Sequence, residues 1–486
     1  MQTRLKREVV SMKRCISLFM ALILAAGLIA CSNGGSTGAT EPASTGLQVG
    51  FGRESIMPQD FTKAHLAGGD AANRVAKTIK DNLFITCVAF QQDGETFLLY
   101  TMDVINSSAE ITDPAKAAIT QLTGVPAENI MMCATHTHAG VSLTYEWDGI
   151  QAHLRMFNEA AAYAGKAAIG DLAPAEVYHG NVETEKMAYV RHYELSDGSF
   201  AGSNFGNFAN GAIVGHSAEA DGQFQLVKFV REGKKDVVMM NFPAHATFAS
   251  TADTYISADY PGPTRDYIEA NSNSLVAFFA GAAGNQTPNS SMEGEAIFSR
   301  KQYKEYGDAL GKYAVDALPN LTKAESSGFK YVTKTYTGKS NKEKLELLPY
   351  APEVVAAAKE YGNIHSKTVE LARKYGFSSY YEANAVIGRS KTAETRSMNI
   401  SAMTIGNVGF IFAPYEMFAS HGVFIKENAV CPTTFISSCS GGSWGYIPDA
   451  RGIEIGCYEA CITNFAPGTG DELAQLFVDA LAELQK

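Results

Sequence analysis

Residues Asn129–Ser142 read NIMMCATHTHAGVS: an apolar run, two histidines separated by one threonine, then alanine and glycine. A short apolar run of this kind fits a buried strand. Side chains two apart on a strand point to the same face. His136 and His138 are therefore expected to look into the same space, where the strand gives way to a loop. A single buried histidine is usually a hydrogen-bonded core residue, whereas two on one face are candidate metal ligands. The rest of the chain has to supply the remaining donors.

The flanking segments alternate between strands and helices. TFLLYTMDV, residues 96–104, is an apolar strand. DPAKAAITQLTG, residues 113–124, carries helix punctuation, with Asp113 as N-cap, Pro114 at the first helical position and Gly124 after the last turn. Residues 151–168 are expected to be helical, and 175–183 and 223–231 to be strands. DVVMMNFPAHA (236–246) is a buried strand that ends in His245, and SLVAFFAGAAGN (274–285) is another that runs into glycines. Residues 298–317 and 351–376 form helical blocks, and SMNISAMTIGNVGFIFAPYE (397–416) gives two strands around a turn at Gly406-Asn407. This is a mixed α/β protein, and such sheets usually carry their sites at strand ends.

Four strand ends bear reactive side chains. They are the His136/His138 pair, His245 in NFPAHATFAS, Glu416 in FIFAPYEMF, and Tyr446 in GGSWGYIPDARGIEIGCYEA, with Tyr458 twelve residues further on. Imidazoles, a carboxylate and a phenol make a plausible N/O ligand set for zinc, with room for water. Each also has an ordinary alternative: Glu416 as a helix-start carboxylate, Tyr446 as a half-buried aromatic, His245 as a satisfied core residue.

These stretches carry a resemblance. NIMMCATHTHAG, FPAHAT, AGNQTPN (Ala283–Asn289), APYE and GYIPDARGIEIGCYEA stand in the order and rough spacing of motifs of the neutral/alkaline ceramidase family, over roughly residues 48–486. That family cleaves the amide bond of ceramide to sphingosine and a fatty acid, using zinc. The resemblance implies an α/β, mixed-sheet, metal-dependent hydrolase domain over residues 47–486. It implies zinc ligands at His136, His245, Glu416 and Tyr446, and substrate-polarising roles for His138, Arg191 (in MAYVRHYE) and Tyr458. The family's SPN serine has been assigned as nucleophile, and Thr287 stands at that position. A threonine keeps the hydroxyl, but no motif gives it an adjacent base, so water is the favoured nucleophile and Thr287 a structural or minor catalytic residue. Longer family members continue into a C-terminal β-sandwich, which is expected to be absent here because the chain stops at Lys486. Alanine follows His138 where the family has serine, and Tyr415 stands where it has glycine. Both changes put the acyl and amine specificity in question.

Other HxH enzymes fit less well. Metallo-β-lactamase sites continue as HxHxDH, but here the continuation is Ala139-Gly140-Val141. Amidohydrolase barrels need further strand-end ligands and an eight-fold strand–helix rhythm that is missing. A non-catalytic ligand-binding surface lipoprotein, or a metallohydrolase of non-lipid amides or esters, remains open.

The N-terminus reads as a targeting segment. A basic KREVVSMKRC, a short apolar ISLFMALILAAGLIA and a final LIAC match the regions of a signal peptide over residues 1–30. The ending resembles a bacterial lipoprotein signal, with Cys31 as the lipidated first residue of an exported, outward-facing membrane lipoprotein; Met12 is an alternative start. Residues 32–46, rich in Gly, Ser and Thr, read as a flexible tether spanning on the order of 20 Å. Without the signal the net charge moves from −11 to about −15. An acidic chain with no basic stripe is a poor nucleic-acid partner, so the expected partners are the membrane surface, through Cys31, and a lipid or N-acyl substrate. Four of the cysteines, Cys431, Cys439, Cys457 and Cys461, cluster near the C-terminus and are expected to form one or two disulfides in an exported protein.

Overall fold

The strand at the quoted histidines is Ile130–Ala134, five buried residues at one edge of a nine-stranded mixed sheet. In this computed structural model, residues 46–69, 71–202 and 212–486 are described. The expected signal segment, Cys31 and the expected tether up to residue 45 lie outside them. From the opposite edge the sheet runs Ser274–Ala280, Asp236–Phe242, Gln223–Arg231, Ala173–Glu183, Gln48–Ser55, Phe84–Gln92, Glu95–Met102 and Ile130–Ala134. Thr322–Lys323 adds a short strand beside Ala173–Glu183. The two outermost pairs, Asp236–Phe242 with Ser274–Ala280 and Glu95–Met102 with Ile130–Ala134, are parallel. The pairs between them are antiparallel.

A second sheet of Phe329–Lys339, Thr395–Ile405, Val408–Phe412 and Thr433–Ser437 packs face to face on the first. Their shared core joins Phe90, Leu99, Met131, Phe229 and Phe279 to Met403, Phe410 and Phe435. The outer face of the large sheet is covered by two helix pairs. Ala109–Thr123 and Ile150–Gly170 cover one half, and Pro261–Asn271 and Tyr303–Ala317 cover the other. Thr469–Leu484 covers the outer face of the small sheet through Leu473, Phe477 and Leu481. The order is therefore helix, sheet, sheet, helix, the mixed α/β architecture expected from the alternating pattern.

Small residues set how closely these layers approach. Ile150–Gly170 turns an alanine-rich face to the sheet, and Gly50 and Gly52 lie directly beneath it. A Cβ at Gly52 would come within 2.1 Å of the Ala164 carbonyl oxygen, so no larger residue fits without separating helix from strand.

Three sequence expectations change in detail. The helix expected to begin at Asp113 begins at Ala109, leaving Asp113 exposed and Pro114 inside the helix. Ile111, Ala115 and Ile119 recur at helical spacing and are buried, and that apolar face carries the helix upstream of the proline. The helical block at 351–376 divides into Ala351–Tyr361 and Ser366–Lys374, because Gly362 ends the first helix at φ 109° and His365 caps the second. The C-terminal cysteines form no disulfide: Cys431, Cys439, Cys457 and Cys461 are buried free thiols, like Cys87 and Cys133. Closeness in sequence did not become pairing in space, since Cys439 packs into the core under the large sheet and Cys457 packs with Phe418 and Tyr446.

Two measurements follow from this packing. Alkylation of the denatured protein without reductant is expected to label all six of these cysteines, detected by mass. His153 is buried beside Trp147, its Nδ1 has no partner, and burial pushes its pKa down to about 4. Its unfolded value is higher, so its contribution to stability is complete above about pH 6.5 and is lost as pH falls toward 4. Denaturant titrations of H153L at pH 7 and pH 4.5 are expected to show an acid penalty smaller than wild type by on the order of 2 kcal/mol.

Candidate active site

The histidine strand stops at Ala134, before either histidine. His136 lies in the following loop at φ 64°, a left-handed conformation unusual for a residue with a Cβ. Period-two strand geometry therefore does not bring the two rings together, as the sequence reading assumed; the loop does. His136 N–H donates to the Val104 carbonyl and His138 N–H to the Ala246 carbonyl, fixing the loop between two strand ends. The Nε2 atoms of the two histidines end up 3.4 Å apart. Gly68 presses on His138 from the other side, where an added Cβ would lie 2.7 Å from the ring Nδ1.

His245 follows Asp236–Phe242 and is 1 % exposed. Glu416 and Tyr446 are brought together by backbone pairing: Glu416–Met417 and Tyr446–Ile447 form a two-stranded parallel ladder in which these two residues are register partners. Gly284, in the AGN turn, lies against this ladder, and a Cβ there would fall 2.8 Å from the Glu416 and Met417 carbonyl oxygens. Glu416 Oε2 is 3.0 Å from His245 Nε2 and 3.2 Å from His136 Nε2, and the Tyr446 hydroxyl is 3.5 Å from His245 Nε2. Four segments scattered between residues 136 and 446 thus meet at one point.

The protons of this cluster are constrained from outside. His136 Nδ1 faces the Ile105 carbonyl and His245 Nδ1 faces the Ala283 carbonyl. A carbonyl can only accept, so both Nδ1 atoms carry the hydrogen. Both Nε2 atoms then face the same carboxylate oxygen. Burial opposes charge on His136, but Cys439 and Glu416 outweigh it and raise its pKa well above the ordinary value. This ring therefore carries a second proton toward Glu416 when no cation takes its place. Burial holds His245 down to about 4, helped by the charge of Arg191, and burial with the neighbouring histidines keeps His138 well below its ordinary value. Burial opposes charge on Glu416, but the facing His136 outweighs it, with His245 alongside, and keeps the carboxylate well below its usual range. Burial and the Glu416 charge push the Tyr446 phenol well up. A carboxylate buried against two imidazoles needs a positive charge beside it, which the second proton of His136 supplies or a bound cation would, so the group could hold a cation. The nitrogens of His136, His138 and His245 also lie within 4.8 Å of one another.

Arg191, which the sequence left open to being a surface residue, is buried beside the cluster. Its Nη2 donates to the Tyr446 hydroxyl (3.2 Å) and the Gly284 carbonyl (2.9 Å), and Nε and Nη2 both donate to Glu459 Oε1. His192 Nε2 lies 2.8 Å from the other oxygen of Glu459. Glu459 is the functional residue that sequence reasoning passed over, although it stands in the quoted GCYEA motif next to Tyr458. Its only signal was a carboxylate adjacent to a motif tyrosine. His192, Cys457 and Glu459 form a second metal-capable group by spacing, but there the Arg191 guanidinium already neutralises the carboxylate.

Above the cluster lies a cavity of about 1030 Å³ whose wall includes His138, Arg191, Thr287, Tyr446 and Tyr458. Tyr458 packs edge-on against Tyr446, with ring centroids 6.0 Å apart, and against Tyr381 from the helix Tyr380–Arg389. Thr287 pairs with Tyr189 through a short antiparallel ladder. No histidine, carboxylate or lysine among the described residues hydrogen-bonds its hydroxyl. His136, His245 and Glu416 lie at the floor, around a small pocket of about 10 Å³.

No family model matches this chain, and no curated relative matches it. Among solved structures it is similar to the neutral ceramidase from Pseudomonas aeruginosa, with TM-score 0.66 and 18 % identity over 91 % of this chain and 75 % of that one. It is also similar to a ceramidase complexed with C2, with TM-score 0.65 and 16 % identity over the same shares of the two chains. The chain therefore has the neutral ceramidase fold.

Removing one partner of the buried Arg191–Glu459 pair leaves an uncompensated charge, which costs about 3–5 kcal/mol. Urea denaturation of E459A is expected to show a loss of that size, and the double variant R191M/E459A to be less destabilised than the two single variants summed.

Proposed function

We propose that the protein is a zinc-dependent amide hydrolase that cleaves the N-acyl bond of ceramide or a related N-acyl lipid, releasing a fatty acid and an amine. The observation that carries this reading is the convergence of inward-facing nitrogen and oxygen atoms of His136, His245, Glu416 and Tyr446 beside a large cavity, in a chain with the ceramidase fold. Three of the separations among them, Glu416 to His245 and to His136 and Tyr446 to His245, are 3.0–3.5 Å. Tetrahedral zinc with bonds of about 2.0–2.1 Å separates its ligands by roughly 3.3 Å. The backbone carbonyls behind His136 and His245 orient the rings as outer partners of metal-bound histidines do.

When bound there, zinc would lower the pKa of a water from about 15.7 to near 7 and polarise a carbonyl. The residues of the chain supply the rest. Arg191 is held rigid by Glu459, and its Nη2 reaches the Tyr446 hydroxyl; a cation there favours the phenolate and stabilises negative charge on a substrate oxygen. His138, neutral and bordering the cavity, is placed to take or return a proton. The Tyr458 hydroxyl can donate to the substrate carbonyl. Thr287 borders the cavity without a base, so water is the nucleophile and Thr287 shapes the wall. Lipidation at Cys31 would hold this site near the membrane in which an N-acyl lipid resides, a reading that rests on the LIAC sequence.

The test is fatty-acid release from ceramide and from other N-acyl amines, before and after chelation. Chelator is expected to abolish turnover and added zinc to restore it. H136A is expected to lose bound metal, measured by elemental analysis, while keeping the wild-type circular dichroism spectrum. Turnover insensitive to chelator would end the zinc mechanism, and activity confined to non-lipid amides would end the ceramide assignment.

A further inference from the structure

The cavity above the cluster is unusually polar for a site that would hold alkyl chains. Its only aliphatic lining side chains among the described residues are Ala249 and Ala252; the others are mostly hydroxyl, amide, tyrosine and guanidinium groups. Three lining residues are arginines, Arg74, Arg191 and Arg300, and no aspartate or glutamate among the described residues lines it. The chain as a whole carries a net charge of −11. A cationic cavity in an acidic protein runs against the average and focuses potential where substrate enters.

The three arginines are differently committed. Arg191 is neutralised by Glu459. Arg74 is buried, and among the described residues it donates to the backbone carbonyls of Ala67, Gly68, His138, Ser250 and Asp253 and to no carboxylate oxygen. The Asp253 carboxylate turns back onto the Ser250 N–H and hydroxyl. Arg300 is exposed, and its one hydrogen bond among the described residues is from Nη1 to the Thr247 carbonyl at 3.2 Å. Thr247 follows His245 by two residues, at most about 7 Å of chain. One fixed cation and one cation free to bind thus flank the donor cluster.

We infer that the preferred substrate is an N-acylated amine bearing an anionic group, a carboxylate or sulfonate, near the scissile amide, with Arg300 binding the anion and Arg74 supplying a fixed positive field. This deepens the amide-hydrolase reading and rests on it. An arginine–anion hydrogen bond is charge-assisted and among the stronger polar contacts. A neutral ceramide would offer neither guanidinium a counter-charge.

The experiment compares kcat/KM of the zinc-loaded, full-length protein on four amides: N-palmitoylglycine, N-palmitoyltaurine, N-palmitoylethanolamine and ceramide. At least one anionic conjugate is expected to exceed the ethanolamide by roughly tenfold or more. R300Q is expected to reduce that ratio at least about fivefold, mainly through KM, and R300K to recover much of it. Preference for only one of the two anions supports the inference and identifies which. If ceramide and the ethanolamide are cleaved as well as both anionic conjugates, or if R300Q leaves the ratio unmoved, the inference is overturned and the hydrolase reading stands. If none of the four is cleaved, both fall.

Discussion

The arrangement depends on one constraint: the segments that leave the strands of the two stacked sheets are hydrogen-bonded to one another at a single edge. The Ala134 N–H donates to the Cys439 carbonyl and the Ser438 N–H to the Ala280 carbonyl, joining the histidine strand and the Ser274–Ala280 strand to the chain that leaves the smaller sheet. The Gly284 N–H reaches the Met417 carbonyl, and the Arg191 N–H reaches Asn285. Buried backbone groups must be paired. Pairing them between segments rather than within one element fixes His136, His245, Glu416 and Arg191 relative to one another.

That fixation allows a polar cluster to exist inside the protein. Left-handed backbone at His136 costs of order 1–3 kcal/mol and persists only where its surroundings impose it. Buried charges nearby are paired on the same principle. Asp103 is fully buried, takes both guanidinium nitrogens of Arg265, and also accepts the Phe84 N–H. Its neighbour Val104 then receives the His136 N–H, so a structural ion pair in the helix-covered half of the sheet props up the loop that holds the donors.

The cavity and the floor use electrostatics in opposite ways. The floor gathers two imidazoles around the Glu416 carboxylate and so calls for a positive charge, while the wall above carries guanidiniums and calls for a negative one. Between them stand Arg191 and Tyr446, in contact through a 3.2 Å hydrogen bond, which couples the ligand cluster to the substrate space. The helix Tyr380–Arg389 adds its own tyrosines to the wall, and Tyr381 packs on Tyr458. Wall shape therefore depends on an element remote in sequence from every motif residue.

How much was legible in advance follows from where each signal resides. Local pattern is enough for the buried strands, the hairpin at Gly406-Asn407 and the mixed α/β class, because apolar period and turn residues act within a few positions. The ordered motifs were enough to single out His136, His138, His245, Glu416 and Tyr446, since reactive side chains at the ends of apolar strands stand out in a linear reading. Sequence could not tell that the histidine pair would sit beyond its strand, nor that the late cysteines would stay apart, because both depend on which loops pack together. Glu459 as partner of Arg191, the extension of a helix upstream of Pro114, and a cavity that gathers three arginines in an acidic chain are likewise products of the tertiary structure. Each is set by contacts between residues tens to hundreds of positions apart, and only the folded chain brings those contacts into being.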